Sequence, residues 1–444
     1  MTSFEGNYIA HMENPKLKID KLEVTNFKNY THLEVDFKEG INLFVGANGS
    51  GKTSILEAIN IAVGSYFGSG KSQNSQRTID SDEIKITNGI RESSTIIEAS
   101  AEGIGTWSRS RSFNSNDSKK TANLKNFGES FFNRFEDIDN ESTAPIIAYY
   151  STQRLFKDAS QSSKQTYDPK RGRQNGYLQC LEDSAIKPIL DDWLGKATAK
   201  RATLAIKEIA DTNLVLENVE EVIRQALKHF MELPSNFPLK IYPDAEYDNE
   251  LYLEFNGKAL PLKYHSDGFR NLLYLMIDIT WRASQLNPFL TLEELKQVNG
   301  VITIDEIDLH LHPKWQEKSL DLLHKLYPNI QFFITTHSPT VVANFNCGTL
   351  YVLEGNEIKV CDEKYFGKEV NNVLRTILGG HDRHVATKQK IESLFSKIDN
   401  NENEEASLLL ENLTILLGEE DRDIQNAKAL LEWNQSKTIS DAVH

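Results

Sequence analysis

The amino-acid sequence predicts an α/β fold built around a phosphate-binding loop, on three observations. Gly46-Ala47-Asn48-Gly49-Ser50-Gly51-Lys52-Thr53 lies between the strand-like apolar run Ile41 to Val45 and a stretch of helical spacing, Ser54 to Ala62. A second apolar run, Gly300 to Ile304, delivers the adjacent carboxylates Asp305 and Glu306 to a strand end, where ligands sit in open α/β sheets. Between and beyond these, alternating stretches mark strands, whereas Leu178 to Met231 and the chain after Val360 repeat apolar residues at helical spacing. The expected division is a loose N-terminus (1–15), an N-terminal lobe (16–154), a helical insert (155–245), a C-terminal lobe (246–360) and a helical C-terminal region (361–444).

Each element follows from its residues. Lys16 to Val24 and Leu33 to Phe37 alternate apolar and polar residues, so the chain opens with an antiparallel β element leading into the loop. In the loop, glycines let backbone N–H groups from Asn48 to Ser54 turn around a phosphate at a helix N-terminus. Lys52 is placed to reach β- and γ-phosphates, and the Thr53 hydroxyl to ligate Mg²⁺. Ser65 to Ser94 reads as a polar surface loop, and Thr95 to Ala101 and Gly105 to Arg111 as outer strands; Arg109 and Arg111 suit either a DNA contact or a solvated hairpin.

Pro145 to Tyr150 is a buried-strand run ending near Gln153, whose amide could reach Mg²⁺ and a water, or be an ordinary loop residue. Lys170-Arg171-Gly172-Arg173 is the strongest local cluster of positive charge, open to a nucleic-acid contact or to solvent. Ser266 and Gly268 precede a helical run and could offer a hydroxyl and a bare amide to a phosphate; a plain N-cap is the alternative. Asp305 is placed to hold Mg²⁺ with Thr53, and Glu306 to polarise the attacking water. His310 and His312 lack a third ligand at zinc spacing and read as structural or interface residues. His337, after the buried run Gln331 to Thr335, is placed to sense a γ-phosphate, or is a loop histidine. Leu408, Leu409, Leu413, Leu416 and Leu417 form an apolar stripe expected to pack on its own domain.

The 444 residues, 39% hydrophobic and 25% charged, have the make-up of a soluble globular protein with a large core. No apolar run spans a bilayer and residues 1–15 are not a secretory signal, so a cytoplasmic location and no membrane partner are expected. Cys180, Cys347 and Cys361 form no paired motif, which fits a reducing compartment. A net charge of −15 counts against a surface that grips DNA throughout, while local basic patches leave direct nucleic-acid contact open.

Together the glycine loop, Gln153, Ser266 to Arg270, Asp305-Glu306 and His337 resemble the motif set of an ABC-type ATPase head. The resemblance is to the branch that includes RecF and SMC proteins. The strings Asp305 to Pro313 and Thr335 to Pro339 carry it, and the tail from Val373 to Glu420 is similar to PtuA-type ATPases of Septu antiphage systems and of some retrons. The resemblance implies a mixed sheet core plus an antiparallel β subdomain, with a helical insert and a helical tail. It further implies ATP and Mg²⁺ as cofactors and a homodimer or higher homo-oligomer, with each ATP held between Lys52, Asp305 and Glu306 of one copy and Ser266 and Gly268 of the other. Any nuclease would be a separate partner, of HNH type, or a retron component. Asp267-Gly268-Phe269-Arg270 stands where transporters carry glycine-glycine-glutamine, which points to slow turnover. The other readings are a RecF-like repair or replication ATPase and an ATP-bound scaffold with little turnover.

Overall fold

In a computed structural model of the chain, the residues described are 16–68, 77–113, 118–135, 141–153, 167–182, 187–234, 237–244, 250–255, 257–380 and 383–442. Residues 1–15 and most of the polar stretch 155–170 lie outside them. The chain forms two units, Met1–Val373 and Leu374–His444.

The first unit opens with an antiparallel hairpin, β1 (Lys21–Phe27) and β2 (Tyr30–Asp36), in register Leu22↔Val35 and Val24↔Leu33, so its apolar side chains share one face. Then follow β3 (Ile41–Gly46) and α1 (Lys52–Val63). The short pair β4 (Ile86–Thr87) and β5 (Ile90–Arg91) precedes β6 (Ser94–Ala101), β7 (Gly105–Ser112) and β8 (Ser118–Lys120), which extend the hairpin into a sheet of order β2-β1-β6-β7-β8. This sheet packs on α1, and Trp107 donates its indole N–H to the Ala62 carbonyl at 3.1 Å. Helix α1 is buried nearly all round because the central sheet covers its other side.

After α2 (Ala122–Arg134) come β9 (Ile146–Tyr150), α3 (Lys187–Ile206) and α4 (Leu214–Met231), then the small sheet β10 (Leu239–Asp244), β11 (Glu250–Phe255) and β12 (Lys258–Pro261). Strand β10 falls in the stretch read as helical insert, because Leu239 to Tyr242 alternates with period two. Helix α5 (Asp267–Leu286) and the turn α6 (Leu292–Leu295) lead to β13 (Gly300–Ile304), α7 (Pro313–Leu326), β14 (Ile330–Thr335), α8 (Pro339–Ala343), β15 (Gly348–Glu354) and β16 (Glu357–Val360).

The central sheet has the order β16-β15-β3-β14-β13-β9, all parallel except the antiparallel edge strand β16. Strands β3, β13 and β14 are buried at every position, as their predominantly apolar runs require when helices and a second sheet cover both faces. The fold is therefore mixed α/β, a largely parallel sheet with an antiparallel β subdomain. Parallelism sends the C-terminal ends of β3, β13, β14 and β9 to one edge, which gathers the loops bearing the glycine motif, Asp305-Glu306, His337 and Gln153.

Three expectations need correction. Residues 65–67 are not surface loop: Tyr66 and Phe67 are buried and pack against Phe132 and Tyr177. The neighbouring serines and glycines masked that apolar pair. Arg109 is buried and Arg111 half-buried, and both serve the fold rather than a solvated hairpin: they donate to the Arg77 and Ile79 carbonyls at 3.0 and 2.8 Å. Arg173 is likewise structural, lying over the Phe135 and Phe289 rings and donating to the Leu286 and Ser142 carbonyls.

Helix α9 (Val370–Thr376) spans the division between the units. In the second, α10 (Val385–Asp399), α11 (Asn403–Leu417) and α12 (Arg422–Ala442) enclose a small core that includes Leu394, Ile398, Leu413, Ile424 and Leu431. Of the expected leucine stripe, Leu413 is buried and Leu409 and Leu417 are partly so, while Leu408 and Leu416 face water; Ala406 and Leu410 complete the inner face. Among the described residues no helix is long and apolar enough to cross a membrane.

Candidate functional site

The glycine loop turns from the end of β3 into α1 through two left-handed glycines, Gly49 at φ 79° and Gly51 at φ 98°. Gly51 also leaves no room for a side chain, since a Cβ there would lie 2.5 Å from the Asn29 amide and the Tyr30 hydroxyl. The turn between β1 and β2 thus clasps the loop, and Tyr30 donates to the Gly51 carbonyl at 3.1 Å. Burial pushes the Tyr30 phenol well above its ordinary pKa, so it stays a donor.

Lys52 folds back into the loop, donating to the Gly46 and Ala47 carbonyls at 3.0 and 2.9 Å. Burial pulls its pKa below the usual lysine value, against the opposing pull of Asp305, Glu306 and Asp308. Its ammonium is a poorly hydrated cation facing three carboxylates, which suits it to phosphate.

At the end of β13, buried Asp305 accepts from Thr53 Oγ1 at 3.0 Å on one oxygen and from Thr335 Oγ1 at 2.6 Å on the other. The same Thr335 oxygen accepts the Glu306 N–H at 2.8 Å, and Glu306 holds a left-handed backbone at φ 48°. One turn on, Asp308 accepts from Thr336 Oγ1 at 2.5 Å and from the His337 N–H at 3.4 Å. The His337 ring thereby stands 3.9 Å from the Glu306 carboxylate. Three strand ends, β3, β13 and β14, are stitched together over one crevice.

An open cavity of about 520 Å³ lies there. Asn48, Gly49, Gly51, Lys52, Thr53, Ser54, Asp305, Glu306 and His337 line it. Ser50 is buried within the loop, its hydroxyl without a hydrogen-bond partner. Gln153, Ser266 and Gly268 are not among the lining residues. Gln153 is exposed past the end of β9, its N–H donating to Ser151 Oγ at 3.1 Å. Ser266 caps α5 by accepting the Phe269 N–H at 3.4 Å. Gly268 has a packing reason of its own, because a Cβ there would sit 2.1 Å from the His310 carbonyl oxygen.

Sequence reasoning missed Lys28, Asn29, Thr335 and Asp308. Lys28 and Asn29 line the cavity from the β1–β2 turn, and Lys28 pairs with Glu57 and Glu83. No local spacing marks them, since only the packing of the β1–β2 turn against Gly51 brings them to the loop. Thr335 and Asp308 stand beside residues that were singled out; a hydroxyl ending a buried run and a third carboxylate two residues past Glu306 were the available signals.

Thr53 and Asp305 present hard oxygen donors side by side, which suits Mg²⁺, an ion that keeps several waters and takes further oxygens from phosphate.

Residues 21–233 match the family described as AAA domain. Over that stretch the chain is similar to this family. The match takes in the glycine loop and ends before Ser266 and Asp305. "Retron Vc95 probable ATPase" of Vibrio cholerae serotype O1 biovar El Tor is 25% identical over 400 residues, covering 79% of this chain and 75% of that protein. "Septu protein PtuA" of Bacillus thuringiensis is 25% identical over 338 residues, covering 73% of each. Among solved structures, an SMC head bound to the C-terminal winged-helix domain of ScpA matches with a TM-score of 0.45 and 15% identity, over 78% of this chain and 97% of that one. The head is thus related to retron and Septu ATPases, with its α/β class resting on the sheet topology above.

Proposed function

We propose that the chain is an ATP-switched ATPase whose two copies close around bound nucleotide and part after hydrolysis, governing a separate nuclease effector in bacterial antiphage defence. The observation that carries the reading is Asp305, held between Thr53 of the glycine loop and Thr335 of β14, with Lys52 and Glu306 on either side of one cavity. The names of the two relatives, a retron ATPase and Septu PtuA, support the defence setting.

In this reading Lys52 exchanges the Gly46 and Ala47 carbonyls for β- and γ-phosphate oxygens of ATP, while the loop amides from Asn48 to Ser54 wrap the phosphate chain. Thr53, Asp305 and Gln153 would hold Mg²⁺, which when bound would supply charge neutralisation on the phosphates. Glu306 accepts hydrogen from the attacking water, and His337 donates to the γ-phosphate and so distinguishes ATP from ADP. Ser266 and Gly268 of a second copy complete the site, which makes the nucleotide a removable bond between copies.

Lys52→Ala should abolish ATP binding in calorimetry, because it deletes the cation facing the terminal phosphates. Glu306→Gln should bind ATP normally, turn it over roughly 10²- to 10⁴-fold more slowly and persist as a dimer by light scattering. A Glu306→Gln protein that stays monomeric with saturating ATP would sink the switch, and unaltered binding by Lys52→Ala would sink the site.

A further inference from the structure

Helix α11 is apolar on two opposite faces. Ala406, Leu410 and Leu413 point into the small core of their unit, and Leu409 and Leu417 pack against it. On the far side Leu408 is 65% exposed, Ile415 79% and Leu416 60%. Leu408 and Ile415, seven residues apart, lie within about 20° of one another around the helix axis, and Leu416 flanks them. A helix that has already satisfied one face and still carries an aliphatic ridge at seven- and eight-residue spacing is patterned to receive a second helix.

The charges around the ridge select what can cover it. Glu404 and Glu411 stand on one edge, both exposed, with no ion-pair partner among the described residues, whereas Glu405 on the other edge is already paired with Lys397. Past the helix end, exposed Glu420 adds to the partial negative charge of the last carbonyls, whereas Glu419 is paired with Lys428 at 3.5 Å. This acidic rim repels a phosphate backbone, an anionic bilayer and a second copy presenting the same face. We propose that the outer face of α11 is a docking surface for a partner protein that presents an amphipathic helix with lysine or arginine beside its apolar stripe. The proposal goes beyond the nucleotide reading and uses none of the residues of that site.

The full-length protein is titrated with a fluorescein-labelled Leu/Lys amphipathic peptide of about 18 residues, five helical turns, and with a Leu/Glu twin of the same apolar pattern. The expected result is saturable one-to-one binding of the Leu/Lys peptide and none of its twin. The double variant Leu408→Gln/Ile415→Gln should weaken that binding at least about tenfold, and Glu404→Gln/Glu411→Gln should weaken it about threefold or more while flattening its salt dependence. All four side chains are exposed, so an unchanged thermal midpoint certifies that each variant is folded. Equal binding by the Leu/Gln variant, equal binding of both peptides, or no saturable binding overturns the proposal. So does a concentration-dependent association in sedimentation velocity that Leu408→Gln/Ile415→Gln abolishes, because a second copy would then cover the face. Peptide titration without nucleotide keeps this outcome separate from any failure at Lys52 or Glu306.

Discussion

Glu306 combines two demands that a single residue meets only with strain. Its left-handed backbone turns the chain sharply off β13 so that the carboxylate enters the cavity beside His337, and a side chain other than glycine costs about 1 kcal/mol or more in that conformation. Glu306→Gly should therefore be more stable than Glu306→Ala by roughly 1 kcal/mol, although both lack the carboxylate and lose turnover alike. Chemical denaturation of the pair decides it, and an Ala variant as stable as Gly would show the backbone is unstrained. Thr335 tests the neighbouring contact. Thr335→Val removes a donor to Asp305 and the acceptor of the Glu306 N–H, two hydrogen bonds at the base of the site, so it should cost about 1–3 kcal/mol with slower hydrolysis. A variant of wild-type stability would mean that water replaces the hydroxyl.

Among elements, α5 and β9 are joined deep in the head by charge rather than by packing alone. Tyr150 and the Arg282 Nε both donate to Asp278 Oδ2 at 2.6 Å, and the guanidinium also reaches the Gly176 and Leu178 carbonyls at 3.1 and 2.8 Å. Burial pulls the Arg282 pKa down, but Asp278 and Tyr150 outweigh it and hold it above its ordinary value, so the guanidinium stays charged. The helix that begins at Ser266 is thereby tied to the strand that ends before Gln153. Arg282→Met should strand a buried carboxylate and destabilise the head by about 3–5 kcal/mol, whereas Arg282→Met with Asp278→Leu should recover much of that loss. A single variant that unfolds at the wild-type denaturant midpoint would dismiss the link.

At the level of the whole molecule, the two units have separate cores, and the site lies entirely in the first. A chain ending at residue 380 should therefore stay folded and bind ATP with unchanged affinity by calorimetry; a shortened chain that unfolds, or binds tenfold more weakly, would show that the tail supports the head. Much of the site was legible because its chemistry is written in short strings: the glycine loop and the Asp305-Glu306 pair each carry their own strand and turn signals. Lys28 and Asn29 were illegible because packing of the β1–β2 turn on Gly51, not spacing, brings them to the loop. The tail was half legible, since a run as rich in leucine as 408–417 carries two apolar faces and the sequence does not say which one finds the core.

The clasp of the β1–β2 turn on Gly51 has a thermodynamic consequence. Tyr30 and Lys52 bond its carbonyls, so the protein's own contacts hold the phosphate loop in shape. Little chain entropy is then left to lose on binding, and the loop amides should resist deuterium exchange in the free protein nearly as well as in the bound one. Nucleotide would meet a preorganised cradle, so whatever ordering it drives is displaced outward, to Glu306, His337 and the second copy.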